Sequence, residues 1–469
     1  MSIEDKIYKF LGIYKKLPTW MKEILAFPLK SISRKRLLGN NYSTFYKEAL
    51  DFEYKSANDI NEYQFLKLKQ LLQFAQEKIP FYRDKWNEYG IKHSDVKSFD
   101  DFDKIIPFTT RSELQRNSEK FIPEKYNKAD LIKANTGGST GEPLALYYLK
   151  GYTRSAYNAY IDMLWGRFGY KKGMRYARLR GDDIGKNEFT YDPYRNCLIL
   201  SSFHLNSESA DRYLNLLAKY KIKYISAYPS SLYLMIKLSS YSSFTIPTLN
   251  TIMLGSENIL DYQIKDIKSF FGAINISLSY GHGEFTTISG NCLKSMNYHF
   301  SPTYGYAEFC EPSIKIENIE NNKIVEIVGT SFLNPAMPLI RYRSQDFGIP
   351  VDSVPCECGR VHKTSKTIMG REQEIAVGLN NERITITALV YGRHLNYMNN
   401  VQSMQIINYE PGKLHVKVVR SSAFTEKDKI EIIESFSEKK GMPFSAEVEY
   451  VESIPLSNRG KQRFLIRTF

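Results

Sequence analysis

Residues 223–239, KYISAYPSSLYLMIKLS, with TIML at 251–254, YQIKDIKSFF at 262–271 and INISLSY at 274–280, decide the fold class. Lys223–Ala227, Thr251–Leu254 and Ile274–Tyr280 are short runs rich in β-formers and predict strands. Ser230–Ser239 and Tyr262–Phe271 carry apolar residues at helical spacing and predict the helices between them. Such alternation predicts an α/β domain with a largely parallel sheet. Upstream, Ala145–Tyr148 reads as a strand and Tyr152–Phe168 as a helix; downstream, residues 304–350 turn β-rich, with a strand at Lys323–Val328. In Glu62–Ile79, Phe65, Leu68, Leu72, Ala75 and Ile79 share one helical face with Leu71, and Pro80 stops the helix. Another helix follows Pro107-Phe108-Thr109-Thr110, capped by Thr110 or Ser112. Past Glu374, a strand at Leu414–Val419, a helix at Glu426–Lys439 and a strand at Ala446–Val451 predict a small α+β unit. The expected division is a basic amphipathic segment (1–45), a large domain with mixed or parallel sheets and flanking helices (46–372), and a small mobile α+β domain (373–469).

A chain of 469 residues is too long for one ordinary core. Its net charge of +13 favours anionic partners such as nucleotides, coenzyme A, sugar nucleotides, nucleic acid or acidic lipid. Nucleic acid is not expected, because no recognition-helix or aromatic–basic strand motif is present. Residues 1–40 hold nine Lys/Arg against three Asp/Glu, around Pro18 and Pro28. Short amphipathic helices over 4–33 would lie on the main body or on a membrane surface. Without a spanning apolar run or a signal-peptide pattern, the expected location is the cytoplasm, with peripheral contact at the inner face of the membrane. The five cysteines are then thiols or metal ligands. The oligomeric state stays open, a homodimer included.

Several loops carry residue types suited to phosphate chemistry. Thr136-Gly137-Gly138-Ser139-Thr140-Gly141-Glu142-Pro143 combines glycines, whose backbone N–H groups can converge, with hydroxyl donors, and suits the β- and γ-phosphates of ATP; it is equally a plain flexible turn. It has no Walker Gly-Lys-Ser/Thr, so its cation must come from elsewhere. Tyr280-Gly281-His282-Gly283-Glu284 follows a strand, where ligands bind in α/β sheets; Glu284 could hold Mg²⁺ and Tyr280 could lie against a nucleotide, or the stretch is a solvated turn. Asp346, in Arg341-Tyr342-Arg343-Ser344-Gln345-Asp346, could accept both ribose hydroxyls, or be an ordinary loop carboxylate. Lys461, in Ser457-Asn458-Arg459-Gly460-Lys461, could swing in to neutralise phosphate, or remain a solvated surface lysine. Cys292-x6-His299 and Cys356-x-Cys358 supply three thiols and an imidazole, which suits tetrahedral Zn²⁺ or buried apolar thiols. Cys197 and Cys310 read as small core residues.

The order of these motifs resembles the adenylate-forming acyl ligase superfamily, and most nearly the phenylacetate–coenzyme A ligase-like family in its capsular-polysaccharide branch. Leu71-Leu72 through Pro80-Phe81-Tyr82, Pro107 to Arg111, Ala227-Tyr228-Pro229-Ser230-Ser231-Leu232 and Cys356-x-Cys358-Gly359-Arg360 extend the resemblance from about residue 45 to the end. It implies that Thr136 to Gly141 cradle the pyrophosphate portion, that Ser256-Glu257 and Tyr280-Gly281 flank adenine, and that Glu284 binds Mg²⁺. It further implies that Asp346 holds ribose, Arg371 contacts the nucleotide, and Lys461 bridges the substrate carboxylate and the α-phosphate. Thr136, Glu284 and Lys461 would thus be catalytic. Tyr228, Pro229, Ser230 and His282 would form the acid pocket, and some relatives carry a structural zinc. The small domain would rotate about a hinge at Gln373 or Glu374 to admit the acceptor. The chain departs from the superfamily in having Glu142 where a lysine is usual. The expected activity is ATP-dependent acyl-adenylate formation from a small carboxylic acid, then transfer to a thiol (coenzyme A) or an amine. Two alternatives are an amide-forming ligase joining an amine or amino acid to a uronic acid or sugar nucleotide, and a non-catalytic nucleotide-binding relative.

Overall fold

The strand–helix alternation that opened the reading forms the centre of the molecule. A computed structural model describes residues 17, 21, 22, 24, 41–135, 144–259, 261–317, 322–351, 355–371, 374–385, 389, 396–457 and 460–469. Helices α1 (Asn41–Asp51), α2 (Ala57–Lys78), α3 (Pro80–Glu88), α4 (Phe99–Ile105) and α5 (Arg111–Asn117) precede the hairpin β1 (Leu131–Asn135) and β2 (Ala145–Leu149). Next come α6 (Thr153–Gly166), β3 (Tyr176–Arg180), β4 (Phe189–Asp192), β5 (Cys197–Ser201), α7 (Ser207–Lys219), β6 (Tyr224–Ala227), α8 (Pro229–Leu238), β7 (Thr251–Gly255), α9 (Asp261–Phe271) and β8 (Asn275–Gly281). The sheet continues through β9 (Ile288–Gly290), β10 (Tyr298–Phe300), β11 (Gly305–Cys310), β12 (Val325–Ser331), β13 (Tyr342–Pro350) and β14 (Thr364–Arg371).

Among the described residues twelve strands form one sheet, in the order β11-β12-β13-β14-β10-β9-β8-β7-β6-β3-β5-β4. Only β5, β3, β6, β7 and β8 run parallel. The expectation of a largely parallel sheet therefore covers its middle, and the rest is antiparallel. The reason lies at β8: no helix separates it from β9, and a short loop can join neighbouring strands only antiparallel. Every residue of β6 and β7 is buried, as expected for strands covered on both faces. Strands β3 and β5 and helix α7 are absent from the sequence reading.

One expected helix start moves and another holds. Ser56 caps α2, which begins five residues before the apolar periodicity does, and Pro80 opens α3 instead of merely stopping α2. Thr110 caps α5 in a box with Glu113. Leu68, Leu72, Ala75 and Ile79 are fully buried in the core between these helices and the sheet. Most of residues 4–33 lies outside the described residues. Lys22, within that segment, is buried and donates to Thr190 Oγ1 at 2.7 Å, so this side chain faces the protein body. Among the described residues no helix is long and apolar enough to cross a membrane.

The C-terminal stretch starts with the pair β15 (Ile375–Val377) and β16 (Arg383–Thr385). It then builds β17 (Val401–Glu410), β18 (Lys413–Arg420), α10 (Glu426–Ser435), β19 (Ser445–Tyr450) and β20 (Leu465–Arg467) into a separate sheet, order β19-β18-β17-β20, with its own core. Helix α10 ends at Ser435, four residues short of the expected Lys439. Phe436, Met442 and Phe444 are all buried in that core, so the chain must turn there, and Gly441 takes φ +71° to do so.

A buried charge cluster ties α1 to distant loops. Glu53 accepts from Arg167 at 2.6 and 2.9 Å and from Arg360 at 2.5 and 2.8 Å. Burial alone would raise its carboxyl, but the two guanidinium groups outweigh burial and hold it down at about 2. Removing one partner of such a cluster strands buried charge. Glu53→Gln should therefore cost about 3–5 kcal/mol in chemical unfolding at neutral pH. Because the folded pKa is depressed, this stabilisation is present above about pH 4.5 and is lost as pH falls toward 2. The difference between wild type and variant should shrink over that window.

Candidate active site

The C-terminal ends of the parallel strands open into a cavity of about 940 Å³, closed on its other side by the C-terminal unit. Its walls include Ser256, Glu257, Tyr280, His282, Asp346 and Lys461, which come from four separate stretches of chain. This is where open α/β sheets place ligands.

Asp346 sits in β13, just after Gln345 at φ +60°. The Tyr280 hydroxyl at the end of β8 donates to Asp346 Oδ2 at 2.8 Å, so the carboxylate is buried and already oriented. Arg371 pairs with Asp346 through the backbone in the β13–β14 ladder. Gly281 ends β8, where a Cβ would stand 3.4 Å from Ile288. In the following loop His282 Nδ1 lies 3.0 Å from Glu284 Oε2, and Nε2 lies 3.1 Å from Thr286 Oγ1. Glu284 is buried and not solvated, with Arg111 3.9 Å away.

Ser256 and Glu257 follow β7. Ser256 adopts φ +68°, rare for a residue with a Cβ, and its carbonyl accepts from Lys461 Nζ. Glu257 Oε2 accepts from the Ser230 N–H at 3.0 Å, while its Oε1 is buried without a hydrogen-bond partner. Burial pushes the Glu257 carboxyl up to about 7, against the pull of Lys461 and Ser230.

Lys461 is carried on a loop pinned by the Leu456–Gln462 bridge and by the Ser457 N–H donating to the Lys461 carbonyl at 2.8 Å. Gly460 takes φ +67°, and a Cβ there would stand 2.5 Å from Ser202 Oγ and 2.6 Å from Gly181 Cα. The lysine ammonium lies 4.9 Å from the Tyr228 ring centroid. Tyr228 precedes α8 and Pro229 is buried in the first turn of that helix. Of the Tyr228-Pro229-Ser230 stretch, Ser230 is the residue that lines the cavity.

Thr136, Gly137, Gly138, Ser139, Thr140 and Gly141 lie outside the described residues, as does Gln373; the flanking strands pair with Asn135 opposite Ala145. Glu374 accepts from Asn258 Nδ2 at 2.7 Å. The sequence reading missed Tyr148 and Tyr157, which line the cavity, and it quoted Arg111 without a role. Arg111 had a signal, since it follows the Pro107–Thr110 turn. Tyr148, at the end of a strand, donates to the Gly283 carbonyl at 2.8 Å.

A second cluster lies beside Glu53. Ligand atoms of Cys292, His299, Cys356 and Cys358 all fall within 4.8 Å of one another. Cys292 Sγ is 3.8 Å from Cys356 Sγ, and Cys358 Sγ is 3.8 Å from His299 Nε2. Zn–S bonds of about 2.3 Å in a tetrahedron put two sulfurs roughly 3.8 Å apart, so the donor set and spacing fit zinc. Gly359 at φ +82° permits the tight turn that brings both Cys356 and Cys358 to the cluster. Burial pushes the thiols of Cys197 and Cys310 up, to about 12 and about 11, which suits neither to nucleophilic work.

Residues 379–468 match the CapK C-terminal domain family. The chain is 24% identical to "Protein CapK" of Staphylococcus aureus, over 97% of this chain and 98% of that one. It is 22% identical to the phenylacetate-coenzyme A ligase of Thermus thermophilus, over 66% of this chain and 70% of that one. The chain is thus similar to CapK over nearly its whole length and to phenylacetate-coenzyme A ligases over about two thirds of it. Its fold is also that of 2-hydroxyisobutyryl-CoA ligase in the postadenylation state, with TM-score 0.69 and 17% identity over 89% of this chain and 92% of that one. Against the same enzyme in its thioesterification state the TM-score is 0.57, with 18% identity over 89% and 91%.

Glu257 yields a pH test for this cavity. Its folded pKa is raised, so the protonated form is the stabilised one. That stabilisation is complete below about pH 4.5 and is lost as pH rises through about 7. Glu257→Gln should flatten the wild-type fall in melting temperature across that window, measured by calorimetry in buffers from pH 4.5 to 8.

Proposed function

We propose that this chain activates a small carboxylic acid with ATP, releasing pyrophosphate to form an acyl-adenylate, and then passes the acyl group to an acceptor with loss of AMP. The observation that carries this reading is Lys461. A residue of the C-terminal unit reaches the cavity rim and binds the Ser256 carbonyl, beside Glu257 and across from the Tyr280–Asp346 pair. In the first step a carboxylate oxygen attacks the α-phosphorus. Both reactants are anionic, so the work is positioning and charge neutralisation. Lys461 bridges the carboxylate and the α-phosphate. Asp346, held by Tyr280, accepts the ribose hydroxyls; Ser256-Glu257 and Tyr280-Gly281 flank adenine; Arg371 contacts the nucleotide. Thr136 to Gly141 cradle the pyrophosphate portion. Glu284 is the residue that would hold Mg²⁺, which supplies further positive charge to the phosphates when bound. Residues 373–469 move as a lid, turning near Gln373–Glu374 to withdraw Lys461 and admit the acceptor.

The acceptor we favour is coenzyme A, in keeping with the ligases the chain is similar to, and the acyl product serves surface-polysaccharide assembly. An amine acceptor would show as amide formation in the same assay. ATP–pyrophosphate exchange over a panel of uronic, amino, aryl and short aliphatic acids tests the first step. Lys461→Ala should lower exchange by about 100–1000-fold without changing the melting temperature; full exchange in that variant would refute the mechanism.

We also assign Cys292, His299, Cys356 and Cys358 to a structural Zn²⁺. Mass spectrometry of tag-free protein should find one zinc per chain. Cys358→Ser should lose it and lower the melting temperature, whereas wild-type protein with only traces of zinc would remove the site.

A further inference from the structure

Three charged side chains meet beside the cysteine–histidine cluster. Glu53, two residues past the end of α1, is bonded both by Arg167, which follows α6, and by Arg360. None of the three side chains is more than 7% exposed. Each arginine also reaches one half of the cluster. Arg167 Nη1 donates to the carbonyls of Gly290 and Asn291 at 2.7 and 3.2 Å, immediately before Cys292. Arg360 follows the Cys356–Gly359 turn, and its side chain lies close enough to the Cys358 sulfur to act on it. His299 stands within reach of the charges of Glu53, Arg167 and Arg360 alike.

Thr364 fixes how His299 presents its ring. The Thr364 hydroxyl donates its one proton to the His362 carbonyl at 2.8 Å, so it can only accept from His299 Nδ1, 3.4 Å away. In the neutral ring the proton therefore sits on Nδ1, and Nε2 turns a lone pair toward Cys358. That is the arrangement of a metal-ligating histidine. His362 itself donates from Nε2 to the Phe52 carbonyl at 3.0 Å, next to Glu53.

Charge counting links the two groups. Two guanidinium groups on one carboxylate leave one positive charge over, and a guanidinium cannot shed its proton. Buried net charge needs a counter-charge. Three thiols and a neutral imidazole supply none. When a divalent ion binds, the three thiols release their protons to solvent, and the resulting three-thiolate, one-imidazole centre carries a net −1. The surplus beside the cluster and the charge of the filled centre cancel.

We propose that Arg167 and Arg360, aligned by Glu53, are positioning residues of the metal site, which hold its two ligand-bearing segments and balance the negative charge of a three-thiolate centre. This rests on the zinc reading above. It makes zinc binding and the docking of the end of α1 two sides of one equilibrium.

The test measures zinc affinity by chelator competition on the full chain, with the Co²⁺ spectrum as a report on the thiolate set. Arg360→Gln removes the surplus charge but leaves Glu53 paired with Arg167, and should lose about 10–100-fold in zinc affinity. Arg360→Lys keeps the charge, and should retain most of the affinity and the wild-type Co²⁺ spectrum. Leu217→Ala, fully buried on α7 at the parallel side of the sheet, should lower the melting temperature with zinc affinity unchanged. Wild-type affinity in Arg360→Gln, or an equal loss in Arg360→Lys or Leu217→Ala, overturns the inference and leaves the zinc site standing. A wild type that binds no zinc removes the site and the inference together. If Arg360→Gln does not fold, the wild type decides: stripping its zinc should raise amide exchange over residues 48–53, and unchanged protection there overturns the inference.

Discussion

The contact between Lys461 and the Ser256 carbonyl, over the ring of Tyr228, is the interaction on which the arrangement of the two units depends. It needs two unusual backbone positions. Ser256 turns into a positive φ at the end of β7, and Gly460 approaches Gly181 and Ser202 too closely for any side chain. The small unit has its own core, against which Tyr262 of α9 packs from the large unit. A unit with an independent core, docked by a lysine on a loop, can leave without unfolding. That is the mechanical requirement for a lid.

Around that contact the cavity is ordered before any ligand arrives. Tyr280 holds Asp346, Ser230 holds one oxygen of Glu257, and His282 holds Glu284 between itself and Arg111. Each is a polar side chain fixed by a hydrogen-bond partner, so little reorganisation remains at the moment of reaction. Glu257 is the exception in charge: burial favours its neutral form near pH 7. A cavity that takes in anions gains by not presenting another buried negative charge.

The cysteine–histidine cluster and the Glu53 fork serve the frame behind this cavity. Cys292 follows β9, His299 lies in β10, and Cys356 and Cys358 precede β14, so one cluster joins three stretches on the antiparallel side of the sheet. Arg360, two residues beyond Cys358, continues the connection to Glu53 at the end of α1.

Much was legible in the sequence by itself, because it was local. Apolar periodicity marked α2, α8 and α9; β-rich runs marked β6, β7 and β8; the Pro107-Phe108-Thr109-Thr110 turn, with Thr110 or Ser112 as cap, marked the start of α5. These signals depend on neighbours within one or two turns, where side-chain spacing alone sets the preference. The residue types at positions 280, 284, 346 and 461 were also legible as chemistry, though each by itself was an ordinary turn or surface residue. Only the tertiary structure decided that Lys461 meets Ser256, 205 residues earlier, and that Tyr280 meets Asp346. It also decided that four ligands with no standard spacing converge, and that Arg167 and Arg360 meet on Glu53. Those outcomes follow from which strands lie side by side in the sheet and where the small unit docks. A local pattern carries no record of either, because the partners come from elements far apart along the chain.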